Sequence, residues 1–133
     1  MRIPHDSRSF FLQGPVGRLE AILWTPVHFP VPPLAAILCH PHPLFGGTLH
    51  NKVVYQAAKS LDSLGIPVLR FNFRGAGLSA GEHDRGLGER GDVQAAIDFL
   101  TGEFPAFPFL SEDSVLEAWS ACAWVARILV FED

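Results

Sequence analysis

The chain has 133 residues, of which 48% are hydrophobic and 18% are charged. Ten Lys and Arg residues against 14 Asp and Glu residues give a formal net charge of −4, so no basic surface is expected to neutralise the phosphates of a nucleic acid. A mean hydropathy of +0.21 argues against a disordered chain. The length predicts one domain over residues 1–133.

The sequence also predicts a cytoplasmic location. Two cysteines, Cys39 and Cys122, are too few for a disulfide framework and fit a reducing compartment. The polar N-terminus has no apolar segment of the kind that a secretory signal carries. The most apolar stretch, residues 118–131, is shorter than the roughly 18 residues that a membrane span needs, so we expect a buried helix there and no membrane partner.

The first predicted elements form a β-hairpin. Two β-prone runs, residues 9–13 and 18–24, flank the turn sequence Gly-Pro-Val-Gly. Four prolines in residues 26–33 predict a connector. The apolar run Leu34–Cys39 then predicts a strand buried on both faces.

Helices and strands are expected to alternate through the rest of the chain. Residues 51–64 predict a helix that ends before Gly65, with the apolar positions Val54, Ala57, Ala58, Leu61 and Leu64. Residues 66–72 predict a strand and residues 74–88 a glycine-rich loop. A second helix is expected over residues 89–100, with the apolar positions Val93, Ala96, Ile97 and Leu100.

The final predicted elements are a connector at 104–109, a strand at 114–119 and a helix at 121–131. The whole order predicts an α/β fold in which an initial β-hairpin precedes a mostly parallel sheet flanked by helices. In such sheets ligands bind beyond the carboxyl ends of the strands, so the loops at those ends are where function is expected.

The first of these loops is residues 40–47, His-Pro-His-Pro-Leu-Phe-Gly-Gly. Proline has no N–H, so a backbone donor must come from His42, Leu44 or a later residue. Gly46 and Gly47 allow the backbone to approach a ligand or to adopt a positive φ. The loop therefore either provides an N–H to a developing oxyanion or serves as a rigid strand-to-helix connector.

A metal site is a less favoured hypothesis for the same loop. His40 and His42 form an H-x-H pair, but a zinc site needs further ligands. His50 and His83 are the available histidines, and neither belongs to a recognisable metal motif. We expect no metal and no cofactor, and keep a metal-dependent hydrolase on His40 and His42 as a third alternative.

The second loop contains two motif matches that lack the right context. Residues 75–80 match G-x-G-x-x-A, but no helix opens there to face a dinucleotide pyrophosphate. Residues 77–81 match G-x-S-x-G around Ser79. A nucleophile elbow turns directly from a strand into a helix, whereas Ser79 is followed by more loop, so it is not expected to be a nucleophile.

Ser120 has the better context, because it lies between the predicted strand at 114–119 and the predicted helix at 121–131. The sequence Ala-Trp-Ser-Ala-Cys replaces both elbow glycines by small residues, and each added side chain strains or loosens such a turn. A nucleophilic serine and a structural serine are both open interpretations of the residues alone.

Together these loops resemble the α/β-hydrolase superfamily, in particular bacterial dienelactone-hydrolase-like and serine-aminopeptidase-like proteins. The resemblance rests on residues 40–47, on His-Asn-Lys-Val-Val from His50, and on Leu-Arg-Phe-Asn-Phe-Arg-Gly-Ala-Gly-Leu-Ser-Ala-Gly at 69–81. It implies the N-terminal half of an α/β-hydrolase fold, as a single incomplete domain. It also implies a serine hydrolase of esterase, thioesterase or peptidase type, which transfers an acyl group to water.

The resemblance assigns roles to residues of this chain. Ser120 is the nucleophile, and the backbone N–H groups of Ala121 and of His42 or Leu44 are the oxyanion donors. The substrate, a small ester or amide, would contact the side chains and backbone of His40, Phe45, Gly46, Gly47 and Arg74. Arg74 has an alternative, because it could form a salt bridge with Asp84, Glu89 or Asp92.

The sequence departs from the superfamily after Ser120. The triad order is serine, acid, histidine, yet only Glu132 and Asp133 are acids after Ser120, and all six histidines precede it. We therefore expect a chain truncated after the elbow. An exposed apolar face and an open sheet edge would favour self-association, and a non-catalytic remnant that acts as an interaction module is the alternative function.

Overall fold

A computed structural model of the chain describes residues 5–27, 34–39, 48–84, 87–103 and 127–132. In this part of the chain there are five strands and two helices, which in chain order are β1 His5–Gly14, β2 Gly17–Pro26, β3 Leu34–Cys39, α1 Lys52–Ser63, β4 Val68–Phe71, α2 Glu89–Glu103 and β5 Arg127–Glu132. The connectors expected at 28–33 and 104–109, and the strand expected at 114–119, lie outside the described residues.

The five strands form one mixed sheet in the order β1-β2-β4-β3-β5. The strand β3 runs parallel to β4, whereas the pairs β1–β2, β2–β4 and β3–β5 are antiparallel. The α/β fold with an initial hairpin is confirmed, and among the described strands parallel pairing is confined to β3 and β4.

The hairpin has the predicted position and a tight turn. Its register pairs Gly14 with Gly17 and runs on to pair His5 with Pro26. Gly17 has a φ of +130°, a conformation that L side chains rarely adopt. The glycine at the second end of the turn therefore lets the chain reverse within two residues.

One face of the sheet is covered by α1. The helix begins at Asn51, whose side-chain Oδ1 accepts hydrogen bonds from the N–H groups of Val53 at 2.9 Å and Val54 at 3.4 Å. It ends before Gly65, which has a φ of +80°. The buried side chains of this core are Trp24, Leu38, Val54, Ala58 and Val68. Leu64 was expected on the apolar face but is 70% exposed, because it is the C-cap residue, where the helical periodicity has ended.

The other face of the sheet is covered by α2 and holds the larger core. The four predicted apolar positions of α2, Val93, Ala96, Ile97 and Leu100, are all buried. They pack against alternate residues of the hairpin and of β4, which include Leu12, Leu19, Ala21, Leu69 and Phe71. Burial of the three larger side chains, Val93, Ile97 and Leu100, stabilises the fold by about 1.5–3 kcal/mol for each residue.

The predicted helix at 121–131 is wrong over its described part. Residues Arg127–Glu132 form β5, which pairs with β3 from Leu34 opposite Glu132 to Cys39 opposite Arg127. A short apolar run between two charged residues fits a buried strand and a helix equally well by periodicity. Pairing with β3 satisfies the backbone groups of both strands. Residues 118–126 lie outside the described residues. Neither α1 nor α2 combines the length and hydropathy of a helix that could cross a membrane.

Candidate active site

Most of the predicted site residues lie outside the described part of the chain. These are His40, His42, Leu44, Phe45, Gly46, Gly47, Ser120 and Ala121. Arg74 is described, and so are residues 48–51 after the first loop and 72–84 at the end of β4. Cys39 on β3 pairs with Phe71 on β4, so the chain leaves both parallel strands at the same edge of the sheet, where ligands bind in open α/β sheets.

Arg74 is bound by Asp92 from α2. Its Nη2 donates to Asp92 Oδ1 at 2.9 Å and its Nε to Oδ2 at 3.1 Å, which is the two-pronged geometry of a strong arginine–carboxylate pair. The backbone N–H of Arg74 also donates to Oδ2 at 3.0 Å, and Nη2 donates to the carbonyl of Gly88 at 2.6 Å. The hydrogen bonds that the Arg74 side chain donates to Asp92 raise the pKa of Arg74 above its ordinary value.

This contact favours the alternative interpretation of Arg74, a salt bridge, over the predicted contact with substrate. The side chains of Arg74 and Asp92 are 8% and 0% exposed, and the Nε and Nη2 donors of Arg74 are used inside the protein. Of the three expected salt-bridge partners, the structure selects Asp92. The pair ties the loop after β4 to α2, so its role is structural.

Ser79 is held by the backbone and does not lie at a strand-to-helix junction. Its Oγ donates to the carbonyl of Asn72 at 2.7 Å and accepts from the N–H of Glu20 at 2.9 Å. Gly75 and Gly77 have φ values of +79° and +51°, and residues 74–81 form consecutive turns without a helix. Both motif matches in this loop therefore belong to a compact turn, as their sequence context predicts.

Asn72, directly after β4, is a functional candidate that the sequence analysis missed. Its Oδ1 accepts a hydrogen bond from the N–H of Leu49 at 2.6 Å, and its Nδ2 donates to Glu20 Oε1. Its own N–H donates to the carbonyl of Glu20 at 2.8 Å. The Asn72 side chain is only 1% exposed. It forms a buried link between Glu20 of the hairpin and Leu49, which lies shortly before α1.

Arg70 on β4 also contacts Leu49, at the carbonyl group of that residue. Its Nη1 donates to the carbonyl of Leu49 at 3.2 Å. The guanidinium lies 4.4 Å from the ring centre of Trp24 and 5.6 Å from that of Tyr55, within the range of cation–π contacts. Burial lowers the pKa of Arg70 from its ordinary value. A polar pattern, Arg and Asn at alternate positions of the apolar run 66–72, is the sequence signal that could have revealed this pair.

An open groove of about 340 Å³ lies beside these contacts, on the α1 side of the hairpin. Phe11, Ile22 and Leu78 give it apolar walls, and Glu20 and His50 add polar groups. The carboxylate of Glu20 already accepts from Asn72 and, at 3.4 Å, from the N–H of Leu78.

The metal hypothesis concerns His40 and His42, which are outside the described residues. Across the described ranges, His, Cys, Asp and Glu side chains do not form a group of three that could hold a metal ion. His83 Nδ1 lies 3.3 Å from Glu89 Oε1, and Glu89 Oε1 also accepts from the N–H of Asp84 at 2.6 Å.

Comparisons with known proteins identify the fold. No family model matches the chain. An uncharacterized protein of Rickettsia prowazekii (strain Madrid E) is 42% identical over 120 residues, which is 90% of this chain and 48% of the relative. Among solved structures, an α/β serine hydrolase homologue from Coxiella burnetii is 45% identical with a TM-score of 0.69, and the match covers 74% of this chain and 47% of that one.

A second solved structure is that of an α/β serine hydrolase without a lid from Xanthomonas campestris. It is 42% identical with a TM-score of 0.71, and the match covers 79% of this chain and 49% of that one. The chain thus spans about half the length of the relatives that it matches. Sequence identity above 40% and a shared arrangement of strands and helices place this chain in the α/β-hydrolase superfamily, with part of that fold.

Proposed function

We propose that the chain provides part of the active site of a serine hydrolase that transfers an acyl group from an ester, thioester or amide to water. The observation that carries this proposal is the 45% and 42% identity to two proteins described as an α/β serine hydrolase homologue and an α/β serine hydrolase. The proposed substrate is a small molecule, and nucleic acid and membrane are not proposed as partners.

Ser120 is the proposed nucleophile. The backbone N–H groups of Ala121 and of His42 or Leu44 are the proposed oxyanion donors. The in-register ends of β3 and β4 support this assignment, because they direct the loops at 40–47 and 72–84 to one edge of the sheet. The two backbone hydrogen bonds of Ser79 support it as well, because they occupy the competing serine.

The general base is the part of the triad that this sequence does not assign. All six histidines precede Ser120, whereas the superfamily has its histidine after the serine and the acid. A serine without its base loses several orders of magnitude in rate. We therefore expect this chain alone to hydrolyse substrates only weakly. We also expect Ser120 to react slowly by itself and faster when a base is added.

The test is covalent labelling with a fluorophosphonate, followed by mass-spectrometric mapping of the labelled peptide. We expect phosphonylation of Ser120, a higher rate when imidazole is added as a substitute base, and no label in Ser120→Ala. Ser79→Ala serves as the matched control and keeps the label at temperatures where this variant is folded.

The proposal fails if the label maps to Ser79, or if no serine is labelled with or without imidazole. Retention of the label in Ser120→Ala would also overturn it. Because mapping is done on the wild-type chain, the assignment of the nucleophile does not depend on the stability of any variant.

A second candidate function, a non-catalytic interaction module, is favoured by the outer strands of the sheet. β1 and β5 are the edges of the described five-stranded sheet, and edge strands present unpaired N–H and C=O groups to other chains. Phe11 on β1 is 49% exposed. This candidate predicts assembly that increases with concentration in sedimentation velocity, together with an absence of labelling; a monomer at all concentrations would rule it out.

A further inference from the structure

Arg70 is a charged side chain in an otherwise apolar layer. It is 3% exposed and shares the α1 face of the sheet with Trp24 and Val68, whose side chains belong to the apolar core there. In the part of the chain that the structure describes, no carboxylate forms an ion pair with it. A buried cation without such a pair is costly, so packing alone does not explain why an arginine lies there.

Arg70 makes a polar contact with Leu49 within the described part of the chain, and Asn72 contacts the same residue. Leu49 donates its N–H to Asn72 Oδ1 at 2.6 Å and accepts at its carbonyl from Arg70 Nη1 at 3.2 Å. The Leu49 side chain is fully buried. Both backbone polar groups of Leu49 are thus fixed by two side chains, one from β4 and one from the residue that follows β4.

Each of the two side chains is itself oriented by further contacts. The guanidinium of Arg70 lies 4.4 Å from the ring centre of Trp24 and 5.6 Å from that of Tyr55, and the two rings meet edge to face. The amide of Asn72 is fixed because its Nδ2 donates to Glu20 Oε1, which leaves Oδ1 as the atom that faces Leu49. Buried polar groups that are held by several contacts in this way favour a rigid geometry.

Leu49 is the point at which the first loop joins the folded body. It follows Gly47 by two residues and precedes the N-cap Asn51 by two, and the N–H of Asn51 donates to the carbonyl of Thr48 at 2.9 Å. We propose that Arg70 and Asn72 are positioning residues that hold Leu49 and thereby fix the end of the loop at residues 40–47. This inference rests on the proposed function, in which that loop provides an oxyanion donor.

The physical reason for such a device is the accuracy that an oxyanion donor requires. A displacement of about 1 Å at a catalytic group can cost about a hundredfold in rate. Two prolines and two glycines in the sequence of this loop disfavour helix and sheet hydrogen bonding, so we expect the position of the loop to depend on its two ends. One end is the buried strand β3, and the other is Leu49.

The test compares Arg70→Met with Arg18→Met by hydrogen exchange. Arg18 is a matched control, because its guanidinium also lies over an aromatic ring, that of Phe11 at 4.9 Å, and its Nε also donates to a backbone carbonyl, that of Leu78 at 3.1 Å. We expect Arg70→Met to raise exchange about five- to tenfold in peptides covering residues 44–51, with no change in α2, and Arg18→Met to leave residues 44–51 unchanged.

Unchanged exchange at 44–51 overturns the proposal, because it shows that Arg70 does not restrain this segment. An equal rise in α2 also overturns it, because it shows only a general loss of stability. If Arg70→Met does not fold, Arg70→Lys gives the same comparison. It keeps a charged donor but not the planar guanidinium near the Trp24 ring, and a local rise at 44–51 is again expected and required.

A second readout separates this inference from the proposed function. We expect phosphonylation of Ser120 to be about ten- to a hundredfold slower in Arg70→Met and unchanged in Arg18→Met. Labelling of Ser120 at the wild-type rate in Arg70→Met would overturn the positioning role and leave the proposed function intact. If wild-type Ser120 is never labelled, the proposed function fails, and hydrogen exchange still decides whether Arg70 and Asn72 fix the loop end.

Discussion

Two buried arginines, four residues apart in the chain, are used in opposite ways. Arg74 forms an ion pair with Asp92, which raises the pKa of the guanidinium. The guanidinium of Arg70 lies 4.4 Å from the ring centre of Trp24 and donates to the carbonyl of Leu49, and burial lowers its pKa. One cation is stabilised by its surroundings and the other is disfavoured by them.

The difference shows which arginine holds the fold together and which is retained for geometry. The Arg74–Asp92 pair closes the loop after β4 against α2, and both partners depend on each other for compensation of their charge. Arg70 gains no such compensation in the described part of the chain, and its contacts are directed at the backbone of Leu49. The two residues should therefore respond differently to substitution.

The largest effect is expected for Asp92→Ala. It leaves the Arg74 cation buried without its partner, which typically costs about 3–5 kcal/mol of unfolding free energy. The measurement is the denaturant midpoint and slope. Asp98→Ala is the matched control, because Asp98 is an exposed carboxylate of the same helix that accepts only from Gln94 at 2.9 Å. Equal losses in both variants would contradict the structural role of Arg74.

A smaller loss is expected for Gly77→Ala, which disturbs the support of Asn72. Gly77 has a φ of +51°, and an added Cβ would lie 2.8 Å from Glu20 Oε1 and against Asn72 Nδ2. The backbone strain alone costs about 1–3 kcal/mol. Gly102→Ala in α2 meets no atom within 4 Å and should gain up to about 1 kcal/mol. Opposite signs in thermal unfolding are the expected result, and a neutral Gly77→Ala would show that the contact with Asn72 is not tight.

A loss within about 1 kcal/mol is expected for Arg70→Met. Removing the buried charge relieves its desolvation, while the carbonyl of Leu49 loses a donor, and these effects oppose each other. Chemical denaturation would measure the sum. A loss as large as that of Asp92→Ala would mean that Arg70 is held by a counter-charge and would remove the contrast between the two arginines.

The smallest effect is expected from pH. Since the folded-state pKa of Arg74 is raised above its ordinary value, its stabilising contribution is fully present below that ordinary value and is lost only as the pH rises through the folded-state pKa. The stability difference between the wild type and Arg74→Met should therefore be the same at about pH 7 and about pH 10. A difference that shrinks over this range would contradict the raised pKa.

Local patterns were sufficient to predict the hairpin, β3, both helices and the buried face of α2, because turn glycines, a continuous apolar run and helical periodicity each act over a few residues. The sequence also narrowed the partner of Arg74 to three acids. It could not select Asp92, since that choice depends on how α2 packs on the sheet.

The remaining features depend on contacts between distant segments. Residues 127–131 belong to the segment predicted as helix, and their pairing with β3 is what distinguishes the strand. The contacts of Leu49 with Arg70 and Asn72 join residues 21 and 23 positions apart, so no local pattern gives them. The roles of Ser120, Ala121, His42 and Leu44 stay predictions, because they lie outside the described residues.

The most direct test of the serine-hydrolase assignment is a crystal structure of the chain after reaction with a fluorophosphonate. We expect a covalent bond between Ser120 Oγ and phosphorus. We also expect the phosphoryl oxygen to accept hydrogen bonds from the N–H of Ala121 and from that of His42 or Leu44. A phosphonyl group on any other residue, or one on Ser120 whose oxygen meets no backbone donor, would contradict the assignment.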